Sequence, residues 1–312
     1  MDGVVVVAKP VGPTSHDIVG LVRRLSATKR VGHGGTLDPF ASGVLPIFLG
    51  RATRLVEYHL GDRKRYRATV CFGASSTTDD LEGELTPSAG AAPTEDTVRA
   101  ALAEFRGTIR QRPPDYSAIK VAGRRAYAMA RAGQAVELAP REVTIHEIEV
   151  VSWDGADPER PVAVIDVECS AGTYIRSLAR DLGAAVGSAA YLGALTRTAS
   201  GPFRLDAATD VEAIRAAAAD DPAALERLLL PIDAGLDELS RVTMDEATIG
   251  ALVRGQAAAF PAGADAAAAG NGPILLLDGA GRLIAVATIK DGRLAPDKVL
   301  VDVADVSAPV SS

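Results

Sequence analysis

Apolar residues along this chain come in short runs, and their spacing switches between the period of a strand and that of a helix. Residues 3–8 (Gly-Val-Val-Val-Val-Ala) are β-branched and predict a buried strand. Lys9-Pro10-Val11-Gly12-Pro13-Thr14-Ser15 follows, and its prolines and glycine forbid regular structure. Thr14 or Ser15 caps a helix whose apolar stripe is Ile18, Val19, Val22 and Leu25. Residues 31–50 are glycine-rich. Residues 65–73 alternate and predict a strand, and residues 74–93, acidic and small, predict a surface loop. Thr94 caps a helix to about Phe105, with Val98, Ala101, Leu102 and Phe105 inward. Residues 107–122 read as extended and 123–132 as helical. Strands follow near 143–152 and 161–169, then a helix from Gly172 to Val186 and a second helix beginning near Ser188. Residues 207–230 are helical and 231–240 a linker. Beyond Arg241 come a short helix (Asp245–Leu252) ending near Gly255, an Ala/Gly-rich loop, and three strand-like runs at 274–277, 283–288 and 298–303. Asp278-Gly279-Ala280-Gly281 is the turn between the first two.

Composition narrows the function classes. Apolar residues are 47% and charged residues 23% of the 312, an ordinary globular balance. No apolar run approaches the roughly 18 residues of a membrane span, so no membrane association is expected. Met1-Asp2-Gly3 lacks the basic region of a secretory signal. Cys71 and Cys169 are far apart and the four histidines are scattered. This argues against a disulfide scaffold and a metal site, and fits a reducing cytoplasm. The net charge of −7 hides a segregation. Residues 1–67 carry 11 basic and 5 acidic side chains, and residues 106–146 carry 8 and 3, whereas residues 205–240 carry 2 and 9. Such basic segments can face a polyanion; taken alone, they fit a solvated surface equally well.

The most informative stretch is Gly32-His33-Gly34-Gly35-Thr36-Leu37-Asp38-Pro39-Phe40-Ala41-Ser42-Gly43-Val44-Leu45-Pro46. Its glycines permit close backbone approach or positive φ. Pro39 restricts Asp38 to extended conformations, so the carboxylate is pre-positioned. A lone Asp-Pro would more often be an Asx turn. Lys9 lacks the Gly-x-x-x-x-Gly-Lys-Ser/Thr order of a phosphate-binding loop.

This string resembles the signature of the pseudouridine synthases, in particular the bacterial tRNA pseudouridine-55 synthase (TruB-type) family. Further ordered blocks carry the resemblance: Lys9–Ser15, Lys64-Arg65-Tyr66-Arg67-Ala68, Pro114–Lys120 with Gly123–Tyr127, Cys169–Leu178 and Ala190–Thr198. They span roughly residues 3–204. Tyr191 and Thr196 depart from the histidine and arginine that relatives often carry. The resemblance implies an α+β fold, with a pseudouridine synthase catalytic domain over residues 1–235 built on a mixed, largely antiparallel sheet with an insertion around 74–150. A small β-rich, PUA-like RNA-binding domain over 241–312 would follow.

The resemblance also implies roles. Asp38 sits at the nucleophile's position, and a carboxylate suits attack on either the anomeric carbon or the pyrimidine ring. Tyr66 matches the active-site tyrosine that stacks on the base. Arg176 matches the arginine paired with the aspartate, which would keep it ionised and oriented. Tyr174 and Leu195 match residues lining the base pocket, and His33 the residue that fills the space left by the flipped base. The Lys9-Pro10 block would support the active-site loop. Read alone, each of these is as easily core or surface. Expected phosphate contacts are Arg23, Arg24, Lys29, Arg30, Arg51, Arg54, Arg63, Lys64, Arg110, Arg112, Lys120, Arg124 and Arg125. The implied activity is isomerisation of uridine 55 in the T-loop of the tRNA T-arm stem-loop. It would need no metal or cofactor and no obligate protein partner, in a cytoplasmic monomer. Alternatives are a synthase for another RNA or guided by one, a tRNA-folding chaperone with secondary catalysis, and a hydrolase releasing uracil.

Overall fold

A computed structural model describes residues 1–116, 138–261 and 272–302, with the backbone of 120–121 and 124–125. The expected first strand is β1 (Gly3–Lys9). Its valines are all buried because both faces are covered. Val5 and Val7 pack with Ile18, Val19 and Val22 of α1 (Ser15–Leu25), and Val4 and Val6 with Phe48 and Phe203. The helix starts where the capping residue says it should. Thr14 Oγ1 accepts from the Asp17 amide at 3.1 Å, and the Asp17 carboxylate accepts from the Thr14 amide at 2.8 Å.

The chain continues through β2 (Val31–His33), β3 (Ser42–Leu49), a 3₁₀ segment (Gly50–His59), β4 (Lys64–Phe72), β5 (Ala74–Ser76), β6 (Leu85–Pro87), α2 (Glu95–Ala101) and β7 (Gly107–Gln111). Next come β8 (Lys120–Val121), β9 (Arg124–Arg125), β10 (Arg141–Asp154), β11 (Val162–Cys169), α3 (Ile175–Ala185), β12 (Ala190–Ser200), β13 (Phe203–Arg204), β14 (Thr209–Asp210), α4 (Val211–Asp220) and α5 (Pro222–Glu226). One 10-stranded sheet runs β14-β1-β3-β12-β4-β11-β10-β7, with β2 added on β3 and β13 on β12. Within this sheet only β1/β14 and β3/β12 pair in parallel, so the fold is α+β on a mixed, largely antiparallel sheet. Ala68, Val70 and Phe72 of β4 join Ile165 and Val167 of β11 in a core closed by Val98 of α2 and Leu178 and Leu182 of α3. A second, four-stranded sheet holds β15 (Ser240–Thr243), β16 (Ile274–Leu277), β17 (Leu283–Lys290) and β18 (Arg293–Val299), with α6 (Glu246–Val253) against it. Leu275, Leu283 and Val286 of this sheet share a cluster with Leu55 and Leu236, which seats it on the 3₁₀ segment and the 231–240 stretch.

Several expectations change. Residues 190–200 are a central strand, not the start of a helix. Leu192 and Leu195 are three apart, a helical spacing, yet the register shifts between Leu192 and Ala194 so that both join one core cluster. The 74–93 stretch contains the β5–β6 hairpin, and Asp80 within it is buried. α3 begins at Ile175, after the Ser170–Thr173 turn, not at Gly172. Arg124–Arg125, assigned to a helix, pairs as a strand with β8, and the remainder of that helix at 126–132 lies outside the described residues. Among the described residues the last strand is β18, not 298–303. Asp291 and Gly292, both at positive φ, make the tight turn that fixes it against β17. β15 was not anticipated.

Candidate functional site

The loop carrying Asp38 is fixed from beneath. Asp38 to Ala41 form a β-turn, the Ala41 amide donating to the Asp38 carbonyl at 3.1 Å with Pro39 at the second position. Buried Ser15 clamps Leu37: its hydroxyl donates to the Leu37 carbonyl at 3.0 Å and accepts from the Leu37 amide at 2.8 Å. Lys9, 1% exposed, donates to the carbonyls of Pro10 and Pro13 at 2.8 Å and of Pro39 at 3.5 Å. Burial lowers its pKa to about 8, against the pull of Asp38. Arg197, also 1% exposed, donates to the carbonyls of Val44 (2.8 Å), Thr36 (3.3 Å) and Gly35 (3.0 Å). Gly35, at φ 134°, packs against that guanidinium. The bonds to Gly35, Thr36, Leu37 and Pro39 hold the backbone on both sides of Asp38, so the turn has little freedom.

Asp38 meets Arg176 of α3, as the resemblance requires. Arg176 Nη2 lies 3.0 Å from Asp38 Oδ2, and its Nη1 lies 3.4 Å from Asp80 Oδ2. The guanidinium also donates to the carbonyls of Tyr116 (3.0 Å) and Thr78 (3.4 Å). Arg176 and Asp80 are buried, while the Asp38 side chain is 37% exposed, so the acid is the member of the trio that faces solvent. Burial raises the Asp38 pKa; Arg176 pulls it down and Asp80 pushes it up. The expectation that Arg176 holds the acid ionised is therefore half the balance: desolvation prevails, and the net direction is upward. Gln111 anchors the start of α3, its amide donating to the Tyr174 carbonyl at 3.0 Å and accepting from the Tyr174 amide at 2.8 Å.

The other expected residues fall around this pair. Tyr66 is half-buried on β4, opposite Val167 and Arg197, and packs on the apolar cluster that holds Leu37, Phe40, Ile175 and Leu195. Burial raises its pKa, and the adjacent Arg197 guanidinium counters this. Leu195 is 8% exposed beneath the turn. His33 ends β2, its Nδ1 accepting from the Gly35 amide at 3.2 Å, and burial lowers its pKa, with Arg197 and His16 adding. Tyr174 caps α3 two residues before Arg176. Of the departures, Tyr191 bonds Cys71, and Thr196 meets Ser42 at 2.9 Å, tying β12 to β3.

Sequence reasoning missed Asp80 and Arg197. The glycine-rich stretch gave no hint of a buried cation beneath it, and Asp80 lies in a run that reads as solvated. Lys64, expected on the phosphate face, is buried, donates to the His59 carbonyl at 3.3 Å and has its pKa lowered to about 8 by burial. Arg63 pairs with Glu168 at 3.0 Å, Arg112 with Asp115 at 2.6 Å and Arg51 with Asp2 at 3.7 Å. Arg54 bonds the Val299 carbonyl and Arg23 the Val31 carbonyl. Arg24, Lys29, Arg30 and Arg110 are exposed; the side chains of Lys120, Arg124 and Arg125, and much of the Pro114–Tyr127 block, lie outside the described residues. The opposite face of β4 and β11 carries a cleft of about 620 Å3 whose Arg65, Arg67, Asp166 and Glu168 pair with one another. Among the described residues no group of three His, Cys, Asp or Glu could hold a metal.

Among solved structures, the protein is similar to a chain of a Cbf5–Nop10–Gar1 complex, with a TM-score of 0.72 and 25% identity, covering 98% of this chain and 87% of that one. A chain of the archaeal box H/ACA sRNP Nop10–Cbf5 complex gives 0.71 at 24% identity, covering 98% and 88%. Sequence then supplies the class, that of the pseudouridylate synthases: the description "TruB family pseudouridylate synthase (N terminal domain)" matches residues 23–175, and "tRNA pseudouridylate synthase B C-terminal domain" matches 176–237. Two relatives, each called tRNA pseudouridine synthase B, are 46% identical in Arthrobacter sp., over 95% of both chains, and 42% identical in Bradyrhizobium diazoefficiens, over 95% of this chain and 85% of that one. The chain belongs to the TruB family.

Proposed function

We propose that this enzyme isomerises uridine 55 in the T-loop of tRNA to pseudouridine, with Asp38 as nucleophile. The observation that carries the reading is the fixed, partly exposed Asp38 carboxylate 3.0 Å from a buried Arg176, above an apolar floor of Leu37, Phe40 and Leu195 with Tyr66 beside it. The reaction breaks the bond from C1′ to N1, turns the uracil, and joins C1′ to C5; the C5 proton leaves and N1 takes one up, so uridine and product have the same atoms. Arg176 holds the carboxylate in one orientation, and Asp80 holds Arg176. Tyr66 offers a face on which the extruded base stacks, Leu195 and Tyr174 line its slot, and His33 fills the space that it leaves. Extrusion costs a few kcal/mol, which stacking and phosphate contacts offset. The exposed cations Arg24, Lys29, Arg30 and Arg110 are the best placed for those contacts. Residues 1–235 act as the catalytic domain and 241–312 as a PUA-like RNA-binding domain. The enzyme works as a monomer, in the cytoplasm, without a protein partner.

Incubating the purified protein with a bare T-arm stem-loop and mapping pseudouridine tests this. Conversion at position 55 alone is expected. Release of free uracil would identify a hydrolase instead, and inertness on the bare stem-loop would point to another or a guided RNA.

A further inference from the structure

The turn that delivers Asp80 has a second acid whose use the reaction does not explain. In an extended segment, neighbouring side chains point to opposite faces. Asp79 and Asp80 nevertheless both reach α3, because Asp79 sits at φ 61°, a left-handed conformation that aspartate tolerates better than most residues. The two acids meet two arginines one helical turn apart. Asp80 meets Arg176 at 3.4 Å, and Asp79 Oδ2 lies 2.7 Å from Arg180 Nη1. Arg180 is itself fixed, donating to the Arg112 carbonyl at 2.9 Å and to Asp181 at 2.9 Å. On its other side the turn is tied to β12 by the Leu192 amide, which donates to the Asp79 carbonyl at 3.0 Å. The Asp79 side chain is 16% exposed and that of Arg180 27%, so water screens the pair only in part.

Resting on the reading of Asp38 as the reacting carboxylate, we propose that Asp79 and Arg180 are a positioning pair that latches the Asp80-bearing turn onto α3 and thereby holds Arg176 in line with Asp38. Neither residue touches substrate. The latch works through its neighbours: with Asp79 held, Asp80 stays on the Nη1 side of Arg176 and leaves Nη2 to Asp38. Without it, the turn keeps its local bonds from Ser76 and Thr78 to Asp80 but loses one of its two ion pairs to α3, and Arg176 gains freedom. Three charged groups face Asp38: Arg176 from α3, Asp80 from the turn, and Lys9 from the end of β1.

The test compares wild type with Asp79→Asn, which keeps the left-handed backbone, Asp79→Gly, which relaxes it, Arg180→Gln and Arg180→Lys. Each is assayed on the T-arm stem-loop across pH, with melting curves to verify folding. Asp79→Asn, Asp79→Gly and Arg180→Gln should lower kcat about tenfold with KM unchanged, the signature of lost alignment. Their acid limb should move to higher pH, because an Arg176 no longer held in line pulls less on Asp38, and that pull outweighs the push of Asp80; a merely less stable protein would lose amplitude without moving the limb. Arg180→Lys should recover most of kcat. The Asp79→Asn, Arg180→Gln double variant should be no worse than either single one, since they break one interaction. Variants with wild-type kcat and limb, or singles whose losses add, overturn the latch while leaving Asp38 in its role. A wild type that leaves uridine unchanged overturns the function and the latch together.

Discussion

In its proposed role as nucleophile, the Asp38 side chain works at the boundary between two demands. A nucleophile must be ionised and only lightly solvated, and burial opposes the first while supplying the second. The protein meets both by leaving Asp38 partly open and setting Arg176 at 3.0 Å. The net upward displacement of its pKa has a consequence. Because the proposed nucleophile would react as the anion, kcat should fall as pH drops through the Asp38 pKa, and this limb should lie above the ordinary aspartate value of about 3.9. A pH profile of single-turnover rates checks this. A rate that stays flat down to the ordinary value would show that burial does not govern the acid. Arg197 is the counterpart beneath: a fully buried cation satisfied by three carbonyls of the Asp38 loop and its flank.

At the level of elements, the loop and β12 depend on close backbone approach. Gly43, at φ 111°, lies so near the Arg197 backbone that a Cβ there would strike it. Gly43→Ala should therefore destabilise the fold by about 2 kcal/mol or more, read from the urea midpoint; an unchanged midpoint would mean that the β3–β12 contact is slack. This contact also marks where the sequence stops being readable. β1, α1, β4 and β11 could be recognised because each has one clear period and, for α1, a capping residue. β12 could not: a bulge at Gly193 breaks its alternation and puts Leu192 and Leu195 at a helical spacing. Asp38, Tyr66, Arg176 and Leu195 were legible only as members of motifs. Asp80 was hidden because its partner lies 96 positions away on α3 and its own neighbours are small and acidic. Lys64 looked like surface, yet the pleat of β4 turns it inward between exposed Arg63 and Arg65.

For the whole molecule, an acidic chain has to hold a polyanion. Its cations are concentrated in residues 1–67 and 106–146, but many of them are engaged internally. The free set among the described residues is therefore smaller than the sequence suggests. Affinity for the T-arm stem-loop should still fall with salt, with a log–log slope of about −3 or steeper, as expected for several phosphate contacts. A flat plot would mean that shape and stacking alone hold the RNA. The apolar cluster joining Leu55 and Leu236 to Leu275 and Leu283 fixes the C-terminal sheet against the 3₁₀ segment Gly50–His59.

Asp38→Asn separates chemistry from binding. Wild type and variant are incubated with T-arm RNA, pseudouridine is mapped, and the Kd of each preparation is measured. The variant should form no pseudouridine while binding RNA nearly as tightly as wild type. Pseudouridine at the wild-type rate from the variant would remove Asp38 from the reaction, and with it the assigned mechanism.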